Sequence, residues 1–153
     1  MYLAAILLLM LVLPLASVAV EATQSPDAPD VMALIGKWFT FWAVGIRLFS
    51  AGAMQSLRPQ FTAQSIFDLK DQGALAVVRE VGFGNLAIGA LGLASLIKPE
   101  WVVPAAIVGG LYYGLAGLGH LARPNRNFKE QTALVSDLLI FLLLAAFVGT
   151  SSL

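Results

Sequence analysis

Arg47, Glu80, Asn85, Tyr113, His120 and Asp137 stand within or at the edge of stretches that are otherwise apolar. A guanidinium, two carboxylates, an amide, a phenol and an imidazole from separate segments can bind a polar head group, handle a proton or line a path for an ion. They form a constellation and not a local motif: no phosphate loop, nucleophile elbow, HExxH helix or EF-hand loop occurs in the chain. The absence of cysteine removes disulfides, thiolate chemistry and thiol-ligated clusters, and a single histidine excludes a haem held by two histidines of one chain. The expectation is no metal and no cofactor of the protein's own, with a quinone or a lipid as the candidate ligand.

The elements that must position these groups are membrane spans. Of 153 residues, 59% are hydrophobic and 12% charged, which marks an integral membrane protein. A net charge of zero and the lack of a basic run give no indication of a nucleic-acid partner. Apolar runs of about 20 residues, enough to cross a bilayer at an α-helical rise, extend from Tyr2 to Val20, Val31 to Leu57, Ala74 to Ile97, Trp101 to Ala122 and Thr132 to Val148. The fold expected is an all-α bundle of five transmembrane helices forming one membrane domain over 1–153, a four-helix core with an N-terminal helix added.

The first run can be read as a signal peptide or as a retained helix. It lacks a positively charged n-region and is longer than a usual h-region, which favours a retained helix bent at Pro14. With no polar residue on any face, it should be the most lipid-exposed of the five. EATQSPDAPD after it reads as a solvated loop. The tight Lys98 to Glu100 connection makes the third and fourth spans a hairpin. RPQFTAQSIFDLKDQG, between the second and third, holds either an irregular loop or a short interfacial helix over about 62–69, with Thr62 as N-cap and Phe61 and Ile66 as a hydrophobic staple. Arg58, Lys70, Arg123, Arg126 and Lys129 fall on one side of a five-span topology, against Lys98 and Lys37 on the other, so the basic side should be cytoplasmic, with the N-terminus inside and the C-terminus outside.

At 100° per residue, Thr40, Ala43, Ser50, Ala51 and Met54 share the Arg47 side of the second span, while Trp38, Trp42 and Phe49 form an opposite face suited to lipid or the interface. Arg47 lies roughly 15 Å deep, where an arginine costs about 2.5 to 3.5 kcal/mol on insertion scales. Glu80 and Asp137 are its candidate partners. Gly82, Asn85, Gly89 and Gly92 form a stripe on the third span, and Ala106, Gly110, Gly114 and Gly117 form another on the fourth, beside Tyr113 and His120. The two stripes are expected to pack on each other, with Asn85 bonding across that hairpin. Arg79 can snorkel to headgroups. The polar cluster reads either as a functional site or as ion pairing that fixes helix register.

GIRLFSAGAMQSLRP, with arginine, phenylalanine and glycine ahead of a loop proline, and REVGFGNLAIGALGL, an acidic residue heading a glycine-rich helix, resemble the DoxX-like group of small bacterial membrane proteins. The resemblance covers about two-thirds of the chain and implies a four-helix core in a bacterial cytoplasmic membrane. It also implies kinship with proteins some of which serve as subunits in quinone-dependent oxidation. Three readings follow: a non-catalytic binding or accessory subunit for a partner protein, lipid or quinone-like ligand; a quinone-linked oxidoreductase subunit using Glu80 or His120; or ion or solute transport as a homo-oligomer, lined by Arg47, Glu80 and Asp137.

Overall fold

The structure, a computed structural model, describes residues 2–24, 30–67 and 71–151. Six helices occur among the described residues: α1 (Tyr2–Gln24), α2 (Val31–Leu57), the short α3 (Pro59–Ser65), α4 (Gly73–Ala94), α5 (Pro99–Leu121) and α6 (Phe128–Ser151). All but α3 are long and apolar enough to cross a membrane, and no strand is formed among the described residues. The protein is an all-α membrane bundle.

Pro14 shapes α1. It has no N–H, and its ring crowds the carbonyl four residues back, so the preceding turn cannot close in the α register. Leu8–Val12 instead takes π-helical bonding, and the Leu13 N–H reaches the Leu8 carbonyl. A second π-helical stretch, Thr40–Leu48, carries Arg47, and the two widened stretches lie against each other. Asp30 starts α2 by accepting the Met32 N–H at 3.0 Å.

Two expectations about α1 are corrected. The helix continues to Gln24, so EATQ is not loop; the rest of that connection, 25–29, lies outside the described residues. Nor is α1 free of polar groups. Glu21 pairs with Lys37 Nζ at 2.7 Å and accepts Trp38 Nε1 at 2.7 Å, while Ser17 accepts Trp42 Nε1 at 3.0 Å. Ser17 and Glu21 are one helical turn apart, as are Trp42 and Trp38, so an acceptor ladder on α1 meets a donor ladder on α2. The tryptophans therefore face α1 and not lipid. Even so, α1 has the smallest buried share of the five spans, as expected of the helix most exposed to lipid.

The glycine stripes also pack differently from expectation. Gly89 and Gly92 of α4 meet α2, where a Cβ on Gly92 would lie 2.5 Å from Gly45 N and one on Gly52 would lie 2.6 Å from Leu86 N. In α5, Gly109 meets Val44 of α2, and Gly110, Gly114 and Gly117 receive Leu144, Phe141 and Leu138 of α6. A tight connection fixes that α4 and α5 are neighbours, but not which faces they turn to each other. Glycine on both partners, Gly45 opposite Gly92, is what lets two backbones touch, and α2 supplies that complement.

The short helix begins at Pro59 in its first turn and ends at Ser65. Its N-cap is therefore Arg58, which makes no side-chain cap bond, and the fixed φ of proline starts the helix instead. Thr62 is a buried mid-helix residue whose carbonyl takes the N–H groups of Ile66 and Phe67. The Thr62 cap and the staple are not formed, and 68–69 lie outside the described residues. α6 starts earlier than the apolar run: the Asn127 side chain accepts the Glu130 N–H at 3.0 Å, making Asn127 its N-cap.

Candidate functional site

Residues seven apart share a face of an α-helix, and two such pairs converge near the α3 end of the bundle. α5 contributes Tyr113 and His120, with Tyr112 beside them; α6 contributes Asp137, with Glu130 seven positions earlier. α4 contributes Asn85, α2 contributes Arg47 and Gln55, and α1 contributes Tyr2. Together with Thr62 and Phe67 over the end, most of these side chains enclose a cavity of about 130 Å³.

Five of the six candidate residues, Arg47, Asn85, Tyr113, His120 and Asp137, border this cavity. Glu80 does not. It is exposed, and the buried residues of α4 are Val78, Gly82, Asn85, Gly89 and Gly92. At 100° per residue Glu80 stands about 200° from Val78, on the opposite face of the helix. The buried carboxylate beside His120 belongs instead to Glu130, which is 1% exposed.

The bonding within the site is uneven. Tyr113 donates its hydroxyl to the Ala43 carbonyl at 2.6 Å, tying α5 to the widened turn of α2. Asn85 Nδ2 donates to Gln55 Oε1 at 2.6 Å, so its amide bonds to α2, and it also faces the Tyr112 hydroxyl of α5. Asn85 Oδ1 is buried with no hydrogen-bond partner. Among the described residues, Arg47 has no carboxylate within ion-pair distance; it acts on the Tyr2 hydroxyl by hydrogen bond as well as by charge, and its charge also acts on Asp137 and Tyr113. Arg47 and Asp137 both border the cavity.

α3 and the residues after it form a lid. Phe67 stacks on the His120 ring, Arg123 lies over Phe67 and donates to its carbonyl at 3.2 Å, and Asn127 donates to the Ile66 carbonyl at 2.8 Å. Lys129 stands over Phe61. Arg123 and Asn127 of the α5–α6 connection and Lys129 of α6 thus hold the lid down, and Arg126 caps the end of α5 through the carbonyls of His120, Leu121 and Arg123.

Two grooves adjoin the cavity. One of about 180 Å³ runs between α1, α2 and α3, shares Tyr2, Arg47 and Gln55 with the cavity, and continues along Leu9, Ser50 and Met54. The other, of about 380 Å³, shares Gln55, Thr62 and Phe67 and continues along Val77 and Val78 of α4. A polar chamber with apolar side channels suits a molecule with a small polar head and a hydrocarbon tail.

Tyr2, Gln55, Tyr112 and Glu130 were not anticipated from the sequence. For Glu130 a signal exists: Asn127 and Glu130 have the N-cap and N3 spacing of a helix start, and Glu130 shares a face with Asp137. For Tyr2 and Gln55, at the ends of their spans, the sequence gives none. Among the described residues no group of three or more histidine or acidic side chains is placed to hold a metal ion.

No curated protein and no solved structure matches the chain. One family model does, over residues 2–152, and it describes a family of unknown function. This bundle, with its lidded polar cavity, therefore belongs to the DUF6790 family.

Proposed function

We propose that the protein is a non-catalytic membrane binding protein or accessory subunit that holds a lipid-soluble molecule, its polar head in the cavity and its tail in a side groove. The observation that carries this reading is the arrangement around Arg47: a cationic group facing the cavity without a contacting counter-ion, opposite Asp137 and the unpartnered Asn85 Oδ1. An unpaired polar group costs most in low dielectric, so a ligand that completes these bonds is favoured. The head must be small. An engineered cavity of about 150 Å³ holds one benzene, so about 130 Å³ suits a single ring or a carboxylate. A quinone-like or fatty-acid-like molecule has the required chemistry.

The test is purification from native membranes into lipid nanodiscs, with mass spectrometry of what is retained. The expected result is a lipid-soluble molecule held by the wild type and lost from Arg47→Leu. A wild type that retains neither a small molecule nor a partner protein under mild conditions sinks the proposal.

A second reading is favoured by one observation, the carboxylate at each nitrogen of His120. In that reading, in keeping with the DoxX-like resemblance, the protein is the membrane subunit of a quinone-linked oxidoreductase. A reconstituted complex whose quinone reduction is unchanged by His120→Ala and Asp137→Asn removes it. In either case we place the basic lid face at the cytoplasmic surface of a bacterial membrane, with the N-terminus inside. Protease accessibility of an epitope appended after Leu153 tests that orientation.

A further inference from the structure

Each ring nitrogen of His120 has a carboxylate beside it. Nδ1 lies 3.2 Å from Glu130 Oε1, and Nε2 lies 4.0 Å from Asp137 Oδ2. Glu130 is also 3.2 Å from Nε of Arg123, whose side chain is 40% exposed. Asp137 borders the cavity. A line of ionisable groups therefore runs from the interior chamber to the aqueous rim through a glutamate sealed from solvent. Phe67 covers one face of the imidazole, with centroids 5.7 Å apart and planes 13° apart.

A tie between α5 and α6 needs only one of these carboxylates. The second one, at the opposite nitrogen, gives the ring a cavity side and a water side. We infer that His120 relays protons between the cavity and the water at the lid face, whatever the cavity binds. A proton leaves the Asp137 carboxyl for Nε2 as the proton on Nδ1 passes to the Glu130 carboxylate, which releases it to water when the half-exposed Arg123 side chain swings off it. That passage leaves Asp137 as a carboxylate and the ring as its Nε2–H tautomer; the reverse passage, which brings a proton from water through Glu130, restores both. The Glu130 leg is within hydrogen-bond reach as it stands. The Asp137 leg, at 4.0 Å, closes by a small carboxylate rotation or through one water. Among the described residues, the other charged or titratable groups around the ring are Arg123 and Arg126 of the connection and, across the cavity, Arg47 of α2, Tyr2 of α1 and Tyr112 and Tyr113 of α5.

His120 is the sole histidine of the chain, so imidazole ¹⁵N labelling gives a spectrum of this residue alone. The experiment is the exchange of its ring N–H protons with water, measured by NMR on the full-length protein in nanodiscs without added ligand. It therefore reads the relay independently of the binding proposal. Wild-type exchange should be fast at both nitrogens and match that of Phe67→Ala, in which the roof is opened. Glu130→Gln should slow it roughly a hundredfold, the scale of a lost positioned acid–base group. Adding Phe67→Ala to Glu130→Gln should restore it, in a double variant whose thermal unfolding matches that of Glu130→Gln. Asp137→Asn should slow exchange at Nε2 alone. A wild-type ring far slower than that of Phe67→Ala overturns the relay, and so does indifference to Glu130→Gln or to Asp137→Asn. The comparison with Phe67→Ala stands even if Glu130→Gln does not fold.

Discussion

The two faces of α2 meet the bilayer problem in opposite ways. Along one face Gly45 and Gly52 lie against the backbone of α4, with no room for even a methyl group. Two residues on from Gly45, Arg47 faces a cavity that α1, α4, α5 and α6 surround without filling. Close approach removes every void on the first face; on the second, bulky polar side chains hold the helices apart. A bundle held only by apolar packing would close both. The difference indicates that the glycine seam carries stability and the cavity is maintained at its expense.

The largest expected effect comes from breaking the seam. Gly92→Val drives a branched side chain into the Gly45 backbone, which can move only by separating α2 from α4, and should cost about 3 kcal/mol or more in detergent thermal unfolding. Gly119, on the same bundle but with open space where a Cβ would stand, is the control. Gly119→Ala should gain up to about 1 kcal/mol from helix propensity. If the two substitutions behave alike, the seam is not what holds the bundle.

Glu130 comes next. Glu130→Ala removes the partner of both His120 and Arg123 and leaves a buried imidazole unsatisfied, for an expected loss of about 2 kcal/mol. The same substitution should loosen the lid, because Arg123 is held between Glu130 and Phe67. Limited proteolysis in the 58–70 connection, faster in Glu130→Ala than in wild type, checks that second consequence.

How far the sequence revealed these features depends on whether a residue's neighbours lie on its own helix. Hydropathy located all five spans, because length and apolarity are properties of each segment alone. Arg47, Asn85, Tyr113, His120 and Asp137 were legible for a similar reason: a polar group deep in an apolar helix must turn inward. Glu80 sat near a helix end, where depth does not decide the face, and the glycine stripe of its own helix already placed it outside. Partners were harder. That Gly92 meets Gly45 and not α5, and that Trp38 and Trp42 meet Glu21 and Ser17, depends on how helices rotate against one another. The π-helical stretch at Thr40–Leu48 departs from the 100° step on which any helical wheel for α2 relies.

Arg47→Leu separates the two faces most directly. A guanidinium is costly in a membrane interior, and leucine fills much of the same space, so stability should hold or rise by about 1 kcal/mol. Ligand retention should be lost. A marked fall in thermal stability instead would mean that Arg47 is architectural and that the cavity face, like the seam, exists to hold the bundle together.

The smallest effect gives the finest distinction, because buried oxygens without a hydrogen-bond partner occur both away from the cavity and at its wall. Thr40 Oγ1 is fully buried without a partner, away from the cavity, and Asn85 Oδ1 is buried without a partner at its wall. If Thr40 is a packing residue, Thr40→Val replaces an unpaired hydroxyl by a methyl of nearly the same shape and should gain about 1 kcal/mol with ligand retention unchanged. Asn85→Leu should gain a similar amount, offset by the lost bond to Gln55, but should reduce retention. Equal retention in both variants would show that the unpaired amide oxygen is a tolerated defect like the hydroxyl, and the argument for a ligand would then depend on Arg47 and Asp137 alone.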